Sequence, residues 1–136
     1  MLHKDAKVEL LKHVPLFERC TKKELREIAS IADELQVPAG KALAVEGASG
    51  REFLVVVEGS AEVRRRGRKV NLLGDGDLLG EIALVTGRPR TASVTTLEPT
   101  RVLVLTERDF RRLMRELPSI QAKVLHALAE RLDSDD

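Results

Sequence analysis

The feature that most constrains the fold of this chain is a series of short apolar runs punctuated by glycine through its middle. These runs are too short for helices and have the length of strands. They cover residues 42–45, 53–57, 61–63, 70–73, 92–94 and 102–105. Glycines between them supply turn conformations that other residues rarely adopt, and Gly67 in Arg66-Gly67-Arg68 is expected at a hairpin tip. Many short strands in one chain of 136 residues predict a roll or a barrel.

Helical spacing precedes the first of these runs. Residues 5–12 carry apolar side chains on one side of a helix, and Pro15 lies just beyond the end of that pattern. Thr21 followed by Glu24 is a capping box, which predicts the start of a second helix. We expect this second helix to end before Pro38.

Helical spacing returns after the last apolar run. Phe110 begins an apolar stripe that Pro118 terminates or kinks, and a last helix keeps its spacing to Leu132. The sequence therefore predicts a mainly β fold with flanking α-helices, a β-roll of the jelly-roll, cupin-like kind. We expect a single domain over 1–136, with N-terminal helices in 1–34, the β-roll in 35–106 and C-terminal helices in 107–136.

Composition excludes several classes of protein. Hydrophobic residues make up 43% and charged residues 33%, which is typical of a soluble globular chain and not of a disordered one. No apolar run is long enough to span a bilayer, and no secretory signal follows Met1, so we expect a cytoplasmic protein without membrane insertion. Cys20 is the only cysteine and precludes an intrachain disulfide.

Direct binding of nucleic acid by this chain alone is disfavoured. The net charge is +1, and the only aromatic residues are three phenylalanines, which leaves little material for stacking bases. One basic run, residues 64–69, could dock an acidic partner or lipid headgroups, although such runs are usually solvated hairpins. His3, His13 and His126 are widely separated in the sequence, so neither a metal site nor an enzyme active site is predicted.

The segment between Gly74 and Val94 carries the strongest chemical signal. Its glycines precede residues 81–85, which can form a short helix. The first amide groups of such a helix lack partners within it and could donate hydrogen bonds to a phosphate. Pro89 holds Arg90 in an extended segment that can return its guanidinium to that helix start. Residues of this kind in this order predict an anion site.

The stretch LGEIALVTGRPRTA, residues 79–92, resembles the phosphate-binding cassette of the cyclic-nucleotide-binding domain family. That family includes catabolite activators, protein kinase A regulatory subunits and cyclic-nucleotide-gated channels. The resemblance extends over nearly the whole chain, because turn sequences such as Glu46-Gly47 and Glu58-Gly59 match as well. It implies a β-roll with a short cassette helix.

The resemblance also implies a role for each cassette residue. Glu81 would accept a hydrogen bond from the ribose 2′-hydroxyl, and Arg90 would pair with the cyclic phosphate. Backbone contacts would come from Gly80, Ile82 and Ala83, a hydroxyl from Thr91 and an amide from Ala92. On the last helix, Leu128 and Arg131 are candidates for a lid over the base.

Two functions follow as alternatives. The first is a regulatory sensor that binds cAMP in preference to cGMP and transmits occupancy through its C-terminal helix to an effector protein or an effector domain on another chain. The second is a degenerate β-roll that binds no nucleotide and serves as an interaction or oligomerisation module. Neither alternative is an enzyme.

Overall fold

A computed structural model describes residues 3–80 and 89–134 of the chain, the last four by backbone only. These residues form two compact units. One unit lies within Met1–Ala32 and Arg108–Asp136, and its described residues are mainly helical; the other lies within Asp33–Glu107, and its described residues are mainly strands. The described part has no helix that is both long and apolar enough to cross a bilayer.

The helical unit begins with α1 (Lys4–Lys12), a 3₁₀ turn (Pro15–Phe17) and α2 (Lys22–Ser30). It continues with α3 (Glu107–Glu116) and α4 (Pro118–Ser134), so the predicted break at Pro118 is confirmed. Thr21 caps α2 as predicted: its Oγ accepts from the amide of Glu24 at 3.2 Å, and its own amide donates to Glu24 Oε1 at 2.8 Å.

The strand unit contains two antiparallel sheets of four described strands each. Its strands are β1 (Asp33–Val37), β2 (Ala42–Ala44), β3 (Glu52–Glu58), β4 (Ala61–Arg65), β5 (Arg68–Leu73), β6 (Leu78–Leu79), β7 (Ser93–Thr96) and β8 (Thr100–Thr106). The order is β1-β8-β3-β6 in the first sheet and β2-β7-β4-β5 in the second. Each of the six predicted apolar runs overlaps one of these strands, and the predicted β-roll with flanking helices is confirmed.

The second helix ends before Pro38 as predicted, but the segment between its end and Pro38 contains a strand that the apolar runs did not predict. The second helix ends at Ser30, and Asp33–Val37 forms strand β1, paired with β8 along its whole length. Its side chains are mostly exposed or half-buried, so it lacks the apolar run that marks a buried strand. An ion pair between Glu34 and Arg101 of β8 supports the pairing across the two strands.

The two sheets share one apolar core. Val56 of β3 belongs to the same buried cluster as Ala61, Leu73 and Val94, which lie on strands of the other sheet. The opposite face of β3 and β8 is buried as well, because residues 53–56 and 102–105 are buried without interruption and strand side chains alternate between faces. The predicted hairpin tip at Gly67 is also confirmed, since Arg66 and Gly67 form a two-residue turn with φ of 54° and 78°.

Glu24 connects α2 with α4 inside the helical unit. Its carboxylate accepts from Ser119 Oγ at 2.9 Å and from Lys123 Nζ. Burial acts to raise its pKa, but the hydrogen bonds from Lys123, Thr21 and Ser119 outweigh burial and lower the pKa of Glu24 from 4.5 to about 2. The ionised form of Glu24 is therefore favoured by folding.

We expect Glu24→Gln to reduce the free energy of unfolding at neutral pH by about 1–2 kcal/mol, after allowance for solvent screening. A folded pKa below the unfolded value stabilises the fold above pH 4.5, and this contribution is lost as the pH falls towards 2. Urea unfolding at several pH values measures it. Glu27→Gln, an exposed position on the same helix, is the matched control. A difference between the two variants that persists at pH 2 would contradict the assignment.

Candidate functional site

The candidate site is centred on Arg90, which the strand unit holds by its backbone and by its side chain. The Arg90 amide donates to the Ala48 carbonyl and its carbonyl accepts from the Gly47 amide, both at 2.8 Å. A single β-bridge between Ser49 and Pro89 continues this pairing. These contacts align the segment at Arg90 with the loop that precedes β3.

The Arg90 side chain is directed into the unit instead of into solvent. Only 9% of the residue is exposed, and Nη2 donates to the backbone carbonyl of Glu52 at the start of β3. Burial lowers the pKa of Arg90 from its ordinary value, while the nearby charge of Glu52 acts to raise it. Arg90 remains a cation, because an arginine side chain is not deprotonated in proteins at neutral pH.

Two glycines make room for the guanidinium. A Cβ added at Gly50 would lie 2.5 Å from Arg90 Nε, and one added at Gly80 would lie 1.9 Å from Nη1 and 2.9 Å from the Glu52 carbonyl oxygen. Gly80 also has a φ of +84°, which disfavours any other residue. Glycine at these two positions is therefore a condition for the observed Arg90 conformation.

One nitrogen of the Arg90 guanidinium lacks a partner among the described residues. Nη1 is buried and has no hydrogen-bond partner within residues 3–80 and 89–134. A buried cation with an unused donor is unfavourable unless a further acceptor, preferably an anion, satisfies it. A guanidinium can donate two parallel hydrogen bonds to a phosphate, so the arrangement fits a phosphate group.

The predicted site residues fall into three groups. Gly80 and Arg90 lie in direct proximity, as described above. Glu81, Ile82 and Ala83, with the predicted cassette helix, lie outside the described residues.

The third group consists of the remaining predicted residues, Thr91, Ala92, Leu128 and Arg131. Thr91 is exposed, and its carbonyl accepts from Arg65 Nε at 3.3 Å, whereas Ala92 is half-buried. Leu128 is half-buried in α4 of the helical unit. Arg131 is part of α4, but its side chain lies outside the described part.

Sequence reasoning missed the partners on the other side of Arg90. The Glu52 carbonyl and Gly50 are contributed by the segment leading into β3, some forty residues earlier in the chain. Gly50 lies just before the apolar run of β3, and a glycine at such a position can indicate that another part of the chain approaches the backbone closely. The backbone carbonyl of Glu52 carries no sequence signal at all.

The described residues offer neither a metal site nor a reactive thiol. No group of three His, Cys, Asp or Glu side chains that could hold a metal ion occurs in residues 3–80 and 89–134. Cys20 lies in the helical unit, where burial and the negative charge of Glu24 raise the pKa of its thiol to about 11. A thiol with this pKa is a poor nucleophile at neutral pH.

Comparison with known proteins points to the same chemistry. The sequence profile of a family described as "Cyclic nucleotide-binding domain" matches residues 34–116. The chain is 36% identical over 121 residues to the cAMP-dependent protein kinase regulatory subunit of Mycosarcoma maydis, an alignment that covers 82% of this chain and 23% of that protein. The chain spans 23–34% of the length of the curated relatives it matches.

Solved structures are similar over most of the chain. The N-terminal domain of a transcriptional regulator from Streptomyces coelicolor A3(2) superimposes with a TM-score of 0.86 at 28% identity, covering 93% of this chain and 94% of that one. The regulatory domain of Toxoplasma gondii PKA, crystallised with cAMP, superimposes with a TM-score of 0.74 at 27% identity, covering 81% and 44%.

Proposed function

The chain belongs to the cyclic nucleotide-binding domain family, and from this premise we propose that it binds cAMP as a regulatory sensor, with Arg90 holding the cyclic phosphate. The observation that carries the proposal is the buried Arg90 guanidinium, whose Nη1 has no partner in the described part of the chain. An anionic ligand would satisfy this donor and offset the unfavourable burial of the cation.

The remaining cassette residues complete the proposed site. Glu81 accepts from the ribose 2′-hydroxyl, and Gly80, Ile82 and Ala83 contribute backbone contacts close to the ligand. Thr91 offers a hydroxyl and Ala92 an amide. Gly80 is supported by its position against Arg90, and the others rest on the match to the family's cassette.

We favour cAMP over cGMP as the ligand. Similar proteins include cAMP-dependent protein kinase regulatory subunits, and a similar regulatory domain was crystallised with cAMP. Regulatory subunits act by binding and not by catalysis, so we propose that this chain has no enzymatic activity of its own.

The signal leaves the domain through the C-terminal helix α4 in this proposal. The nucleotide shifts the population towards a state in which Leu128 and Arg131 cover the base, and it can do so only by its higher affinity for that state. The receiver in this proposal is an effector protein or an effector domain.

Thermal unfolding with saturating cAMP, cGMP or 5′-AMP tests the proposed ligand. A ligand present at 100 times its Kd adds about 2.7 kcal/mol to the stability of the folded state, roughly 8 °C in Tm for a chain of this size. We expect the full shift with cAMP, a smaller one with cGMP, and none with 5′-AMP, which lacks the cyclic phosphate. No shift with either cyclic nucleotide would favour the degenerate interaction module instead.

A further inference from the structure

The β4–β5 hairpin presents an unbroken exposed segment of basic character, which the cassette chemistry does not use. All nine residues from 64 to 72 are exposed, and five of them are Arg or Lys while none is acidic. We call residues 64–72 the basic hairpin. Val70 and Leu72, at the end of this segment, are each 51% exposed.

Among the described residues, two of the five cations in the basic hairpin have a protein partner for their side chain. Arg64 forms an ion pair with Glu62, and Arg65 donates to the Thr91 carbonyl. Arg66, Arg68 and Lys69 have no acidic side-chain partner for their charged groups within the residues that the structure describes. The hairpin thus combines three cations that are unpaired among the described residues with two exposed aliphatic side chains, a composition suited to an acidic segment with apolar residues.

The turn itself contains a residue that its conformation does not favour. Arg66 has a φ of +54°, in a turn whose first position is preferentially Asn, Asp or Gly. An arginine here is less favourable for the fold than asparagine, because its side chain gains nothing from the left-handed conformation. The Arg66 amide donates to Glu46 Oε1 at 2.9 Å, which fixes the turn in place. An arginine in an unfavourable backbone conformation indicates that its positive charge has a function.

The structure also limits how a partner can bind. β5 is the last described strand of its sheet, but the amide of Leu72 already donates to the Asn71 side chain at 2.8 Å. Addition of a partner strand to this edge would have to break that bond, so recognition through side chains is favoured. The tip of the hairpin, Arg66-Gly67, has no apolar side chain to insert into a bilayer, which disfavours a membrane as the partner.

We propose that the basic hairpin is a docking surface for an acidic protein segment that carries aliphatic residues among its carboxylates. Arg66, Arg68 and Lys69 pair with the carboxylates, and Val70 and Leu72 contact the aliphatic side chains. Docking does not depend on bound nucleotide, so it can succeed or fail independently of the cAMP site.

The test uses a fluorescent peptide of glutamates flanking two leucines, and fluorescence anisotropy measures its affinity at low and at physiological salt. The variant R66N/R68T/K69T removes the three charges with residues that suit a left-handed turn position and a strand, so its fold should be preserved. We expect this variant to bind the peptide about tenfold more weakly. Replacing both leucines of the peptide by serine should weaken binding to the wild-type protein severalfold.

The control variant is R108Q/R112Q/R115Q, which removes the same charge from exposed positions of α3 and should bind the peptide as the wild type does. Equal loss of affinity in both variants, or no loss in either, would overturn the proposal, because a general charge effect would then suffice. Phosphatidylserine vesicles and a short DNA duplex are measured in parallel. Tighter hairpin-dependent binding to either of these than to the peptide would also overturn it.

Discussion

Replacing Arg90 with alanine is expected to reduce the affinity for cAMP about 100-fold or more. A hydrogen bond to a charged group contributes about 1.5–3 kcal/mol, and a guanidinium facing a phosphate makes two of them. Each 1.4 kcal/mol corresponds to a factor of about ten in Kd. Isothermal titration calorimetry with cAMP measures the loss directly.

Two further variants separate the role of Arg90 from a general effect of charge. Arg90→Lys keeps the positive charge but cannot donate two parallel bonds, so its affinity should lie between those of Arg90→Ala and the wild type. Arg101→Ala removes a cation of β8 whose guanidinium is already paired with Glu34 of β1 and Glu58 of β3. Its affinity should be unchanged. A wild-type affinity in Arg90→Ala, with the fold intact, would refute the proposed role of Arg90.

Gly80→Ala should impair binding nearly as strongly as removal of Arg90, although it changes no charge. The new Cβ would lie 1.9 Å from Arg90 Nη1 and 2.9 Å from the Glu52 carbonyl oxygen, so the guanidinium would have to move. The left-handed φ of +84° adds an unfavourable backbone contribution of about 1–2 kcal/mol. We expect roughly a 100-fold weaker affinity for cAMP, because the charged bonds to the phosphate are lost.

Gly76→Ala is the matched control for this change. Gly76 has nearly the same φ, +85°, but nothing lies within 4 Å of an added Cβ. Both variants should therefore lose similar stability from backbone conformation, which urea unfolding measures, and only Gly80→Ala should lose affinity. Loss of affinity in both would indicate that the loop as a whole, and not the position of Arg90, determines binding.

The burial of Arg90 is unfavourable for the stability of the protein without ligand. Burial removes water from the guanidinium, which is unfavourable. The hydrogen bond to the Glu52 carbonyl offsets only part of this desolvation free energy. If Arg90 binds the cyclic phosphate as proposed, its donor is already oriented before the ligand arrives. Such preorganisation reduces the ordering that binding would otherwise require.

Some features of this protein follow from local sequence alone. The capping box at Thr21, the break at Pro118 and the hairpin turn at Gly67 each depend on residues within a few positions of one another, and all three are present in the structure. The apolar runs predicted strands for the same reason, because alternation and length are local properties. The spacing of the cassette also made Arg90 a candidate binding residue, and the structure brings it against Gly80.

Other features were decided only by pairing between distant segments. Strand β1 exists because β8 offers it a partner some seventy residues away, and its own composition did not distinguish it from the end of a helix. The placement of Arg90 depends on Gly50 and on the Glu52 carbonyl, which no motif connects with it. Backbone carbonyls have the same chemistry at every residue, so which of them meets a side chain is determined by the tertiary fold and cannot be read from the sequence.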